Sequence, residues 1–293
     1  MKVTVAITLL LIAASAGAGD FTSDFALVMI DDETEAKFGA FPYDRKLYAE
    51  AIDACARYKA KAVVLKFFID QAKSDEGDIA LRDSMKRIPV ALQARLESTE
   101  GSSQRIPSKF SFGEQKLATE VKGDRGWIPL PSLLDVAVDI GFVDIDSPEI
   151  PLVEEYQGIQ YKSLIICCLE LAIHAPARVA KDSRIYIGSG YLPVNASNVY
   201  RADVSGLESL KIISFAHLLA GDVKKEEIEG RVVIMGWDST RTPTLPTAHG
   251  KMRIHRLFSQ FLAASYRTLK ANQALEPTTM AVTPAASHPS RQP

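Results

Sequence analysis

The stretch Phe25-Ala-Leu-Val-Met-Ile30, followed at once by Asp31-Asp32-Glu33-Thr34, decides the fold. Six apolar residues in a row leave no face for water, the pattern of a strand covered on both sides. The run stops at acidic and hydroxyl side chains able to cap the turn that follows. Residues 45–58 then show helical periodicity through Leu47, Tyr48, Ala51, Ile52 and Cys55. Ala62-Val-Val-Leu65, extending to Phe68, is a second buried strand. Strand, helix and strand at these lengths predict a βαβ unit with parallel strands.

Working outward, the pattern repeats. A helix is expected over 78–87, a third strand over 90–96 and a polar surface loop over 98–109. Strand candidates at 141–145 and 184–187 flank a helix over 163–175. A short helix over 214–220 is closed by Gly221, and 224–229 is expected to form a further turn. The run 231–235 is a late buried strand ending at Gly236. The amphipathic stretch 253–269 sets Ile254, Leu257, Phe258, Phe261 and Leu262 on one helical face. The expected fold is a single α/β domain over 19–270, with a mainly parallel β-sheet flanked by helices.

The two ends differ in character. Met1-Lys2 precedes an uncharged apolar stretch at 3–14, and small residues follow at Ala16-Gly17-Ala18. This is the layout of a cleavable signal peptide over 1–18, with cleavage near Ala18. The stretch is shorter than the roughly 20 residues of a spanning helix, so an uncleaved membrane anchor is the competing reading. Secreted or periplasmic placement follows. Residues 271–293 intersperse Pro277, Pro284, Pro289 and Pro293 with Thr, Ala and Ser, the composition of a disordered low-complexity tail. The 293 residues are 47% hydrophobic and 24% charged with a formal charge of −2, which supports neither a nucleic acid nor an anionic membrane as partner. Cys55, Cys167 and Cys168 are too few for a disulfide scaffold and are expected as packed thiols, with one bridge from Cys55 left open.

Three segments at each end carry a resemblance. Ala26-Leu-Val-Met-Ile-Asp-Asp32, Phe41-Pro-Tyr-Asp-Arg45 and Ala60-Lys-Ala-Val-Val64 resemble the opening of the CHASE type 2 (CHASE2) family of extracellular sensory domains. Ser214-Phe-Ala-His-Leu-Leu-Ala-Gly221, Gly230-Arg-Val-Val-Ile-Met-Gly236 and Gly250-Lys-Met-Arg-Ile-His255 resemble its closing segments. Order and spacing agree at both ends, across roughly 25–269. The resemblance implies a sensory, ligand-binding domain that recognises an extracytoplasmic signal without catalysis of its own. Its partner would be a small-molecule ligand or a signalling protein. In the family such a domain normally precedes membrane helices and a cytoplasmic output. None is read in this sequence, so a stand-alone sensor is expected. The family's second strand commonly carries an Asp where this chain has Lys66. Its middle usually has an Asp-Gly turn and paired arginines, which Asp146-Ser-Pro-Glu-Ile-Pro-Leu-Val153 lacks.

Asp31, Asp32, Arg45 and Lys66 are the candidate ligand-binding residues. The two carboxylates close the first strand, at the edge where open α/β sheets place their sites. Arg45 opens the following helix, and Lys66 interrupts an apolar strand, where it must find a carboxylate or reach water. A secreted metal-dependent hydrolase using the acidic cluster Asp31, Asp32 and Glu33 is the alternative, set against simple capping around Thr34. His249 and His255 stand six apart, not at zinc-helix spacing, and His217 is expected to be structural. Gly188-Ser189-Gly190 and Gly236-Trp-Asp-Ser239 form no nucleophile elbow, and no phosphate loop or dinucleotide fingerprint occurs. No cofactor and no catalytic residue are therefore expected.

Overall fold

The apolar run at 25–30 forms strand β1 (Phe25–Ile30), every residue of which is buried. A computed structural model describes residues 21–96, 101–113, 116–145, 147–180, 182–204, 210–247 and 250–273. The expected signal peptide and most of the expected tail lie outside the described residues. After β1 come α1 (Asp32–Phe38), α2 (Arg45–Arg57), β2 (Ala62–Leu65), α3 (Asp75–Met85) and β3 (Val90–Leu96). β4 (Asp139–Phe142) and α4 (Leu164–Ile173) follow, then β5 (Ile212–Ser214), α5 (Phe215–Ala220), β6 (Val232–Trp237) and α6 (Ile254–Gln273).

The six strands form one parallel sheet in the order β5-β1-β6-β2-β3-β4. Gly126–Trp127 adds a short antiparallel seventh strand against Arg95 and Leu96. Register pairs Phe25 with Val232, Val232 with Ala62, and Val63 with Val90. β6 thus lies between β1 and β2. The first βαβ unit is parallel as expected, but its two strands are not neighbours, because the last strand enters between them. Smaller sheets decorate this frame, among them the antiparallel set of Ala177–Ala180, Arg184–Ile187 and Gly190–Pro193. The strand expected at 184–187 belongs there and not to the main sheet.

Local chemistry sets the helix starts. Asp44 caps α2 through the Lys46 N–H at 2.9 Å, Ser74 caps α3 through Gly77, and Ser163 caps α4 through Ile166. Helix α3 starts at Asp75, earlier than the periodicity alone indicated, because Ser74 supplies the cap. Two apolar cores result, one on each face of the sheet. One gathers Ile52, Cys55, Leu81, Phe215 and Val233; the other gathers Leu27, Cys167, Cys168, Ile234 and Phe261. All three cysteines are free and buried. The sheet separates Cys55 from Cys167 and Cys168, so the bridge from Cys55 does not form. No helix among the described residues is long and apolar enough to cross a membrane.

Candidate functional site

The carboxyl ends of the parallel strands bring the charged residues to one edge of the sheet, but they do not merge there into one cluster. Asp31 is the N-cap of α1: its Oδ1 accepts from the Thr34 N–H at 2.9 Å, the Thr34 hydroxyl at 2.6 Å and the Ser214 hydroxyl at 3.0 Å. Asp32 accepts from the backbone N–H and hydroxyl of Thr240 at 2.7 and 2.8 Å, and these bonds hold its pKa below the usual carboxylate range. Glu33 meets His217 Nε2 at 2.9 Å. Arg45 is buried and forked between the Asp78 carboxylate and the Gln71 carbonyl. Each carboxylate of the acidic turn is thus engaged in capping or in tying a loop. Among the described residues no group of three or more His, Cys, Asp and Glu is placed to hold a metal ion.

Lys66 stands apart from all of these. The strand candidate containing it is central, between β6 and β3, so it is not an edge residue; it pairs with neither Asp31, Asp32 nor Asp70, and its amine opens only onto a cavity at the strand ends. Its backbone N–H continues the sheet by donating to the Met235 carbonyl at 2.8 Å. Its side chain is 3% exposed, with Nζ 4.7 Å from the centre of the Phe258 ring. Among the described residues Nζ has no ion pair and no hydrogen bond. Burial brings its pKa down to about 7; the Cys168 thiol opposes this and Arg95 adds to it. The face of Phe258 offsets part of the desolvation by cation–π attraction.

This amine lines a cavity of about 560 Å³ at the carboxyl edge of β2, β3 and β6, closed on one side by α6 and by Pro243 and Leu245. The walls are mainly apolar, with aromatic rings prominent among them. Phe41 stacks on Trp237 with centroids 4.8 Å apart, and Phe67, Phe258 and Phe261 continue the surface. Polar groups are few. Gln93, on β3, is 3% exposed and its Oε1 has no hydrogen-bond partner. His255 is 6% exposed, and its Nδ1 accepts the Trp237 N–H at 3.2 Å, which leaves Nε2 as the ring's N–H donor. Burial, then the nearby Lys66, keep its pKa well below the usual imidazole range. Gly236 makes room for that ring: a Cβ there would sit 2.9 Å from His255 Nδ1 and from Met29 Sδ.

Arg95 forms part of the cavity lining, 3.4 Å from the Asp144 carboxylate and 5.6 Å from the Trp127 ring centre. Behind it, Glu154 is 1% exposed and lies against Asp144, to which its carboxyl donates a hydrogen bond when protonated. Burial, then the adjacent Asp144 carboxylate, raise its pKa well above the ordinary value. Elsewhere, Asp238 is held by Arg253 and Arg256, and His249 lies outside the described residues.

Of the four candidates, only Lys66 faces the cavity. Gln93, Arg95 and His255 were not among them. Gln93 had a legible signal, since it interrupts an apolar strand as Lys66 does; His255 had one in closing the segment Gly250-Lys-Met-Arg-Ile-His255, but its neighbours read as an ordinary amphipathic helix. Comparison with known proteins adds one finding. The family model described as the CHASE2 domain matches residues 8–279. No curated protein and no solved structure matches the chain.

Proposed function

The chain belongs to the CHASE2 domain family, a family of extracellular sensory domains, and on that premise we propose that its aromatic cavity is a binding site for a small extracytoplasmic signal molecule. In this reading residues 1–18 export the chain, one α/β domain does the sensing, and no reaction is catalysed. The observation that carries it is Lys66, a buried amine with no counter-ion among the described residues, set in an apolar cavity at the strand ends. An unpaired ammonium in such a place lowers stability. The volume lies in the range of small-molecule sites, whose usual makeup is apolar walls with a few convergent polar groups. The position agrees with the rule that open α/β sheets bind ligands beyond the carboxyl ends of their strands. The hydrolase alternative has less support, because Asp31, Asp32 and Glu33 are committed to Thr34, Thr240 and His217.

A thermal-shift screen of small metabolites against the purified chain tests this, since a ligand that binds only the folded state raises the melting temperature by mass action. Hits should lose their effect in Val143→Trp, which fills the cavity from a half-buried wall position. Shifts that persist in that variant would place the ligand elsewhere and overturn the reading.

A further inference from the structure

We propose that the cavity takes a flat, apolar monocarboxylate, whose carboxylate pairs with Lys66 and whose ring system lies among Phe41, Trp237 and Phe258. This deepens the ligand-site reading and rests on it. Three polar groups facing the cavity have unmet bonding capacity. Lys66 brings one cationic group without a partner, Gln93 an amide whose oxygen is unbonded, and His255 an N–H at Nε2. The other charged and titratable groups around the site are already engaged or neutral. Arg95 from β3 is paired with Asp144, Asp238 after β6 is held by two arginines, and the Cys168 thiol of α4 has its pKa raised by burial. A single amine without a counter-ion among the described residues, able to take up a proton, matches a single negative charge.

Other ligand classes fit less well. A cationic ligand would be repelled by Lys66, with no free carboxylate in the lining to receive it. A phosphate ester carries nearly two charges and ordinarily needs several donors or a second cation. A sugar would leave most of its hydroxyls facing aromatic rings, unpaired and costly. A carboxylate meets the donors of the site: one oxygen takes the ammonium and the other an N–H of Gln93 or His255, while Gln93 Oε1, an acceptor, can be met only by a donor such as Lys66 or water. The body then replaces water against the stacked rings, with ring-on-ring contacts adding to the apolar burial.

Isothermal titration of the full chain with 2-naphthoate, its methyl ester, 2-naphthylmethylamine and 2-naphthyl phosphate tests this. In the empty protein Lys66 is largely neutral above its pKa of about 7. Pairing with a carboxylate restores the charged form, so binding at pH 8.5 should take up close to one proton per ligand. At pH 5.5 uptake should be near zero, and two buffers of different ionisation enthalpy read the difference. The acid should bind about 30-fold or more tightly than the ester, amine or phosphate. Lys66→Met should lose that advantage, as removal of one partner of a buried charge pair does, without a lower melting temperature than the parent. An ester that binds as well as the acid, a Lys66→Met affinity that is unchanged, or binding without proton uptake at pH 8.5 would overturn the carboxylate assignment. If naphthoate fails to bind while thermal-shift hits are lost in Val143→Trp, the assignment falls and the ligand site stands. If those hits persist in Val143→Trp, both fall.

Discussion

Placing an amine at the end of a buried strand sets a pH dependence whose sign can be worked out. Lys66 titrates near 7 in the folded chain against about 10.5 when unfolded, so between those values the unfolded state binds more protons. Through this group stability should therefore rise with pH from about 7 to 10.5, and a pKa lowered by about three and a half units corresponds to about 5 kcal/mol across the window. Lys66→Met should stabilise the protein at pH 6–7 and flatten that rise, as urea midpoints at pH 6, 7.5 and 9 would show. A variant less stable than its parent at pH 6 would mean that the amine has a partner after all. Glu154 gives the opposite slope. Its folded pKa is raised, so its contribution is complete below about 4.5 and is lost as pH climbs through the folded value. Glu154→Gln should leave stability at pH 4 nearly unchanged and increase it at pH 8; equal effects at both would remove the buried, protonated carboxyl from the account. A charge inside an apolar run, as at Lys66, was visible in the sequence. Which face it turned to was not, because periodicity says nothing of what covers a strand.

At the scale of elements, Asp31 does more than a cap usually does. One carboxylate oxygen fastens the start of α1 through Thr34 and reaches the end of β5 through Ser214, so the first and fifth strands are tied at their carboxyl ends. Loss of an N-cap alone costs about 1 kcal/mol. With the Ser214 hydroxyl also reduced to its longer contact with the Thr34 hydroxyl at 3.3 Å, Asp31→Ala should cost about 2 kcal/mol. Asp32→Ala, whose bonds to Thr240 are exposed, should cost less than half as much in the same denaturation series. Equal losses would show that the tie to β5 adds nothing. The long apolar runs and the capped helices were legible because burial on both faces and a Ser or Asp before a periodic stretch leave strong marks. Helix α1 was not, since Asp-Glu-Thr-Glu reads as a turn and only Thr34 of its residues is buried. β5 was missed for the same reason, having three residues of which two are only half-buried.

The whole molecule is organised by one sheet with a core on each face, and strand order is the part of that plan least accessible from sequence. Parallel buried runs such as Ala62–Leu65 and Val232–Trp237 are chemically alike, so nothing in them says that β6 should insert between β1 and β2. That insertion has a consequence for cooperativity. Every central strand contributes side chains to both cores, alternately, so neither face can open without exposing the other side of the same strands. The three thiols report on this directly. Cys55 belongs to one core, Cys167 and Cys168 to the other, and all are fully buried with pKa values raised by burial, that of Cys55 to about 12. None should react in the native state, because the thiolate is the reactive form and here it is neither formed nor accessible. Alkylation should then wait for global opening. Followed by mass spectrometry at pH 8 and corrected for each thiol's reactivity in the unfolded chain, the three rates should agree within a factor of two or three. A Cys55 rate more than tenfold away from those of Cys167 and Cys168 would show that the two faces open separately, and that the shared strands do not couple them into one folding unit.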